Sequence, residues 1–563
     1  MKKYLFIALA ALGFAACSEK IDDPTVPVQN AELEESYIAI NLMAADSDTR
    51  AQDGGFDYGT DAERKIKNAH FFFFKNGEPF AVNATNAPAT APGDSQNHLQ
   101  LNIEDVTGST GDPAGNISDI SKAVLVLSTY KGEYPNQIVA VLNWVPTQGK
   151  TYTLTELREE LYENSLGNDT NGYVMSNSVY MNNANQVVDV TPITADNIKT
   201  SPELAVANPV NIYVERTAAK VVVTTDEDAH RFTVTDENGM KPVGAVARTV
   251  YVELLGWELY NEFTKTNLIK QINTTWNSAN EGLGLTWNDQ PKYRSYWATT
   301  MNTRTENDTF AWSYTLNGTT TYGHEIGSCT YCAENTLDWT TTNDVRTKVI
   351  LKGRLVEKVG ENYQAIELAR WYGNEYAGVG DLKTAVANSL KYTIYYLDTA
   401  SGKYVSIAPE HIEVVHGDVV GAKPYEVGFQ LTTAAESLTW HKYSSAGGYQ
   451  PFGDIADGAN KTNTNAYLKS VKPAVLYKGG DTYYIVDIEH LGTTGAKYGV
   501  VRNHVYHLEI ESIKGYGSPG YSGFDHIVEQ PEYPKDEEES SYVAAKINVL
   551  SWKVVKQGVN IEQ

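Results

Sequence analysis

A chain of 563 residues with a formal net charge of −25 can hold two or more cores, and its acidity disfavours nucleic acid and anionic lipid surfaces as partners. Three cysteines exclude a disulfide scaffold, while abundant Tyr, Thr and Val with few helical periodicities read as an all-β exported protein.

The chain opens MKKYLFIALAALGFAAC. Lys2 and Lys3 precede an apolar run, Tyr4 to Phe14, that is too short to span a bilayer, and small residues lead to Cys17. This pattern reads as a secretory signal over residues 1–17, of the lipoprotein type in which Cys17 is acylated (a palmitate-bearing lipid anchor). Residues 18–34 are polar and contain proline, as a tether would.

Residues 35–51, ESYIAINLMAADSDTRA, read as a strand followed by an accessible loop. Ile38, Ile40 and Leu42 alternate with Ala39 and Asn41, the period of a strand with one buried face. The polar run that follows contains a single basic residue, Arg50, open to an Arg-specific protease. A cut there would free the strand and leave a groove that another strand could fill. The same residues also suit an ordinary first strand and loop.

Further on, Phe71 to Phe74 are apolar on both faces, as in a strand between two layers, and Asn76-Gly77 is a hairpin turn signal. Ala123 to Tyr130 and Asn136 to Val145 read as buried strands. In YTLTELREEL, Thr153 can cap a helix, Glu156 can reach back, and Leu154, Leu157 and Leu161 would share a face. Strand character returns over Asn208 to Val223, and the charged stretch after it suggests a domain boundary. The second half repeats this style, with a short helix placing Leu382, Val386 and Leu390 together.

Tyr521 to Ser540 is Pro-containing and acidic, an extended linker. Beyond it, Ile547 and Val549 share one face and Leu550, Trp552 and Val554 the next, which implies a bulge near Val549. Val555, Val559 and Ile561 continue the alternation, and the residues beyond Trp552 are expected to be mobile in a free monomer. An apolar strand on an extended linker needs a sheet to pair with: its own domain's, or another subunit's.

Catalytic signals are weak. Cys329 and Cys332 form a C-x-x-C without a second pair, so a local disulfide or two free thiols is the reading, not zinc. His504 and His507 fall on opposite faces of a strand, with His504 inward beside Tyr506 and Leu508. No phosphate-binding or nucleophile motif appears in a fitting context, so neither enzyme activity nor a cofactor or metal is expected.

Eight segments in order now carry a resemblance: AHFFFFKNGEPF (69–80), VMSNSVY (174–180), YVERTAAKV (213–221), LLGWELYNEFTKTNLIK (254–270), YRSYWA (293–298), YCAENT (331–336), VRNHVYHLEIESIKGYGSP (501–519) and INVLSWKVV (547–555). The chain resembles the type V pilus fimbrillins of Bacteroidales, in particular major shaft subunits of the minor-fimbrium group. In that family's pattern Cys332, not Cys329, belongs to the motif. The resemblance implies two tandem transthyretin-like β-sandwich domains with a few short helices. On this sequence these are residues 51–225 and 226–530, preceded by a propeptide (18–50) and followed by a linker with a donor strand (531–563). It further implies export as an outer-membrane lipoprotein through Cys17, and cleavage between Arg50 and Ala51 by an Arg-specific trypsin-like protease. The strand bearing Ile38, Ile40 and Leu42 would depart. Another subunit's strand bearing Ile547, Val549, Leu550, Trp552, Val554, Val555, Val559 and Ile561 would replace it. The implied assembly is a homopolymeric cell-surface fimbrium with accessory tip and anchor pilins, serving adhesion, colonisation and biofilm formation. The rival reading is a surface glycan-binding lipoprotein whose Trp and Tyr residues line a sugar platform.

Overall fold

A computed structural model of the chain describes residues 33–45, 59–82, 97–102, 117–130 and 132–147, most of 149–271, and residues 323–336, 346–416, 425–490, 499–520, 542–550 and 555–558, with short internal gaps. It is an all-β fold of packed sheets with short helices.

The first unit is built on one branched, ten-stranded sheet. Its strands include β1 (Leu33–Ala45), β2 (Asn68–Lys75), β3 (Glu78–Pro79), β4 (Ile117–Tyr130), β5 (Gln137–Leu142), β6 (Met175–Asn177) and β7 (Val210–Arg216). The four phenylalanines of β2 are fully buried and divide by strand alternation. Phe71 and Phe73 face inward with Ile138, Ala140 and Leu142 of β5, while Phe72 and Phe74 point outward. The outer pair is covered by the helix α2 (Leu154–Glu159) and by Leu268 and Ile269. Asn76 (φ 56°) and Gly77 (φ 86°) make the expected tight turn between β2 and β3. Thr153 and Glu156 form the reciprocal cap of α2. The helix stops at Glu159, so Leu161 is not a third helical contact; its backbone pairs with Asn267 as a strand.

The chain crosses to the second unit within one residue. β7 ends at Arg216, the Thr217 N–H donates to the Val174 carbonyl at 3.0 Å, and β8 (Ala218–Thr225) begins in the next sheet. The charged stretch 224–230 therefore lies inside the second unit.

That unit is a sandwich of two sheets. β9 (Val250–Tyr260) pairs antiparallel with β11 (Lys348–Val359) in one layer, and β8 pairs with β10 (Cys329–Ala333) in the other. Between β11 and the strand that completes its layer, the chain builds a further unit with its own core. It contains α3 (Gly378–Leu390), β12 (Ile394–Asp398), β13 (Lys403–Ser406), β14 (Trp440–Ser444), β15 (Gly448–Pro451) and α4 (Ala459–Lys469), packed around Trp371, Phe429, Trp440 and Leu468. Leu382, Val386 and Leu390 of α3 are buried there, as their spacing predicts, but the sequence pattern alone does not set these residues apart from the flanking sandwich. The chain returns as β16 (Asp481–Asp487) against β11 and β17 (Val505–Lys514) against β8. Val221, Val223, Tyr506 and Leu508 meet Trp257, Leu351 and Leu355 between the layers. Two terminal strands follow, β18 (Tyr542–Leu550) and β19 (Val555–Gly558).

Candidate functional site: the first strand and the tail

β1 is an interior strand. Along one edge it pairs antiparallel with β4, from Leu33 opposite Tyr130 to Ala45 opposite Ile117. Along the other, Tyr37 and Ile38 lie antiparallel to Lys199 and Ile198, after which Ile40 to Ala44 run parallel to Val210 to Val214 of β7. The side chain of Ile38 is fully buried in the cluster that holds Leu125 and Leu127 of β4 and Ile212 and Val214 of β7. Ile40 and Leu42 follow it at alternate backbone positions. One departure from the pattern is that Ala39 is buried as well, because the short helix Pro202–Ala207 lies against β1 on its other face. Loss of β1 would thus leave two unpaired strand edges, those of β4 and β7, on either side of an apolar floor.

Past the segment that holds Arg50, the chain is anchored at once. The helix α1 (Asp61–Arg64) carries the reciprocal cap of Thr60 and Glu63, a T-x-x-E signal legible in the sequence. Glu63 is buried and reaches the second unit, where Lys220 Nζ of β8 lies 2.9 Å from its Oε1 and the Tyr331 hydroxyl of β10 donates to it. Burial opposes ionisation of Glu63, but the hydrogen bonds from Tyr331, Lys220 and the Thr60 N–H outweigh it and hold its pKa below the ordinary carboxylate value. Arg216 Nε donates to the Glu63 carbonyl at 2.8 Å. Nearby, Lys270 and Glu215 form a fully buried pair at 3.0 Å, and Arg502 reaches both Glu334 and the carbonyl of Asn267. Burial raises the pKa of Glu215, with Lys270 and Arg502 opposing it. The two units are joined through buried charge as well as apolar packing.

The tail lies on the second unit. β18 runs antiparallel along β17, with Leu550 opposite Val505, Val549 opposite Tyr506, and Ile547 opposite Leu508. The irregularity in this pairing is between Ile510 and Ser512 of β17, not near Val549. β19 runs back along β18, with Val555 opposite Val549. Val555 to Gly558 are paired in the monomer, contrary to the mobility expected for them, because β18 offers its outer edge. β19 itself touches no strand but β18 among the described residues. Cys17, Arg50, Ala51, Trp552, Val554, Val559 and Ile561 lie outside the described residues.

The remaining candidates have structural roles. Cys329 is exposed and Cys332 buried, both as free thiols, because an i,i+3 spacing on β10 puts them on opposite faces. His504 is buried beside Tyr506, and His507 meets Thr224 Oγ1 at 2.6 Å, each on its expected face. Among the described residues no group of three or more His, Cys, Asp or Glu could hold a metal, and no helix is long and apolar enough to cross a membrane.

Residues 475–558, which span β16, β17 and both tail strands, match the family described as major fimbrial subunit protein type IV, fimbrillin, C-terminal. No curated protein is a significant match. Among solved structures, the chain is similar to a fimbrilin from Porphyromonas gingivalis at 11% identity and a TM-score of 0.33, covering 90% of this chain and 96% of that one. The tip fimbrial protein Mfa3 of Porphyromonas gingivalis with a C-terminal truncation aligns at 11% identity and a TM-score of 0.31, over 91% and 99% of the two chains. A fimbrial assembly protein from Parabacteroides distasonis aligns at 12% and 0.29, over 73% and 100%. At these scores the solved structures carry no functional inference; the match over 475–558 does.

Proposed function

We propose, on the match of residues 475–558 to the fimbrillin C-terminal family, that the chain is a pilus subunit and builds the shaft of a cell-surface fimbrium by exchange of strands between copies. The precursor is exported as a lipoprotein held by Cys17, and a trypsin-like Arg-specific protease cuts between Arg50 and Ala51. β1 then leaves, and the apolar tail of another copy enters between β4 and β7. The observation that carries this reading is the position of β1: an interior strand at the start of the chain, joined to the rest through a segment whose single basic residue is Arg50.

The energetics suit the exchange. A strand that buries five or six apolar side chains at about 1.5–3 kcal/mol each gains on the order of 10 kcal/mol before entropy costs. Head-to-tail pairing does not close on itself, so it produces a filament instead of a dimer. The rival basic sites suit cleavage less well. Arg64 ends the helix whose Glu63 is buried against Lys220 and Tyr331, and Lys65 follows it directly. Tip and anchor pilins would complete the fibre, and the surface fimbrium would serve adhesion.

N-terminal sequencing of the surface form tests the reading, with Ala51 as the expected first residue. Arg50→Ala should accumulate as uncut, lipid-bearing monomer. Normal fibres from that variant would refute release of β1 at this site.

A further inference from the structure

The unit inserted between β11 and β16 has a face that neither assembly element uses. Its four-stranded sheet runs in the order β13, β12, β14, β15. Ile394 and Trp440 point into the core of the unit. The register places Tyr395, Leu397, Tyr404, Ser406, His441, Tyr443, Tyr449 and Pro451 on the opposite face.

The tyrosines there form one ring assembly. Tyr404 and Tyr449 stack at 3.8 Å between centroids with planes only 4° apart. Tyr395 meets Tyr449 edge-on at 5.0 Å, Tyr443 meets Tyr449 at 4.9 Å, and Tyr404 lies 5.0 Å from the buried His441. Each ring is thus held by its neighbours, yet Tyr404, Tyr443 and Tyr449 remain 37%, 39% and 37% exposed. Contiguous exposed aromatics on a soluble protein mark an interaction surface, and tyrosine offers area at low entropy cost.

We propose that this face binds a neutral saccharide. In a chain of net charge −25, its strand positions carry no carboxylate, lysine or arginine. Lys442, on β14, sits instead over the ring of Tyr467. A face without a cation offers nothing to hold a carboxylate, sulfate or phosphate, and the acidity of the whole chain repels such ligands. An uncharged, hydroxyl-rich ligand meets no such penalty. The C–H-bearing face of a pyranose ring matches the electron-rich face of a tyrosine, and the phenol hydroxyls at the rim can exchange hydrogen bonds with sugar hydroxyls. The face lies on a sheet separate from those of β1 and of the tail, so neither proposed assembly element contributes a strand to it. This inference does not depend on the strand-exchange reading.

The test is a printed array of neutral oligosaccharides of glucose, mannose, galactose and xylose, probed with the full chain and followed by titration of the best hit. Tyr404→Ala/Tyr449→Ala should weaken binding at least about tenfold, while Tyr372→Ala, which alters an exposed ring packed on Trp371 off this sheet, should leave it unchanged. Tyr443→Ala, outside the stacked pair, should also weaken binding and serves as the second variant if the double variant loses its fold. An array without a hit, or binding indifferent to these substitutions, overturns the proposal. So does sedimentation showing that the face is instead a contact between copies. Fibre formation by the double variant should be normal, which keeps failure here distinct from failure of the shaft assignment.

Discussion

Ile40 runs beside Val210 in a parallel register, so the first described strand of the chain is wedged between strands that lie far downstream. A strand in that position holds its sheet together on both sides. Its removal is costly unless a replacement is at hand, the condition that the proposed strand exchange requires if loss of β1 is to lead to assembly instead of simple unfolding.

Ile38→Ala should therefore act differently before and after cleavage. In the uncut chain it truncates a fully buried side chain, and urea unfolding should report a loss of about 2–5 kcal/mol. If strand exchange removes β1 from assembled fibres, their thermal dissociation should match that of wild type. Fibres weakened to the same extent as the monomer would mean that β1 stays in the polymer.

Glu63→Gln tests the anchor behind the cleavage segment. It leaves Lys220 without the carboxylate at 2.9 Å, and the expected loss is about 3 kcal/mol, the low end for a broken buried pair. The pH dependence follows from the lowered pKa of Glu63. The unfolded chain binds a proton at the ordinary value of 4.5 and the folded chain only at lower pH, so the stabilisation is complete above that value. It is lost as pH falls through the folded value. The stability gap between wild type and Glu63→Gln should accordingly be full at pH 7 and shrink at pH 3; a gap that grows on acidification would show that the carboxylate is not stabilised in its ionised form.

Features written in short stretches of sequence were legible. Phe71 to Phe74 announce a strand buried on both faces, Asn76-Gly77 its turn, Thr153 with Glu156 a capped helix, and Leu382, Val386 and Leu390 another. The strand at Ile38 was legible too, but its partners were not. Parallel pairing of β1 with β7 and of β8 with β17 joins residues remote in sequence, and no local periodicity encodes it. The crossing at Thr217 is hidden for a related reason: the polar residues that meet there, Glu215, Arg216 and Thr217, are buried and lack turn residues, while the charged stretch that looks like a boundary follows β8 as an exposed turn. The tyrosine face was present as composition only. Alternation makes Tyr395 and Trp440 look alike until the register sends one outward and the other into the core.

The two cysteines should differ in reactivity. Cys329 is exposed, whereas burial, with the Glu262 carboxylate adding to it, raises the Cys332 thiol well above its ordinary value. Mass spectrometry after brief alkylation of the native protein should find Cys329 modified and Cys332 not. An intramolecular disulfide, or equal labelling, would contradict their placement on opposite faces of β10.

The tail separates folding from assembly. Among the described residues β19 pairs with β18 alone, and deleting Val554 to Gln563 removes none of the residues of β18 that pair with β17. Thermal unfolding of the monomer should then change little, since only the outermost strand pairing is removed. Deletion from Tyr542 onward should be far more damaging. It strips the edge of β17, whose Tyr506, Leu508 and Ile510 are core residues. If the apolar alternation at Val555, Val559 and Ile561 serves another copy's groove, the shorter deletion must also abolish fibres, even from protein already cut after Arg50. Electron microscopy of the cut, truncated chain decides it. Fibres from that chain would refute the donor role of these residues. A truncated monomer that fails to fold would show that β19 belongs to its own sandwich.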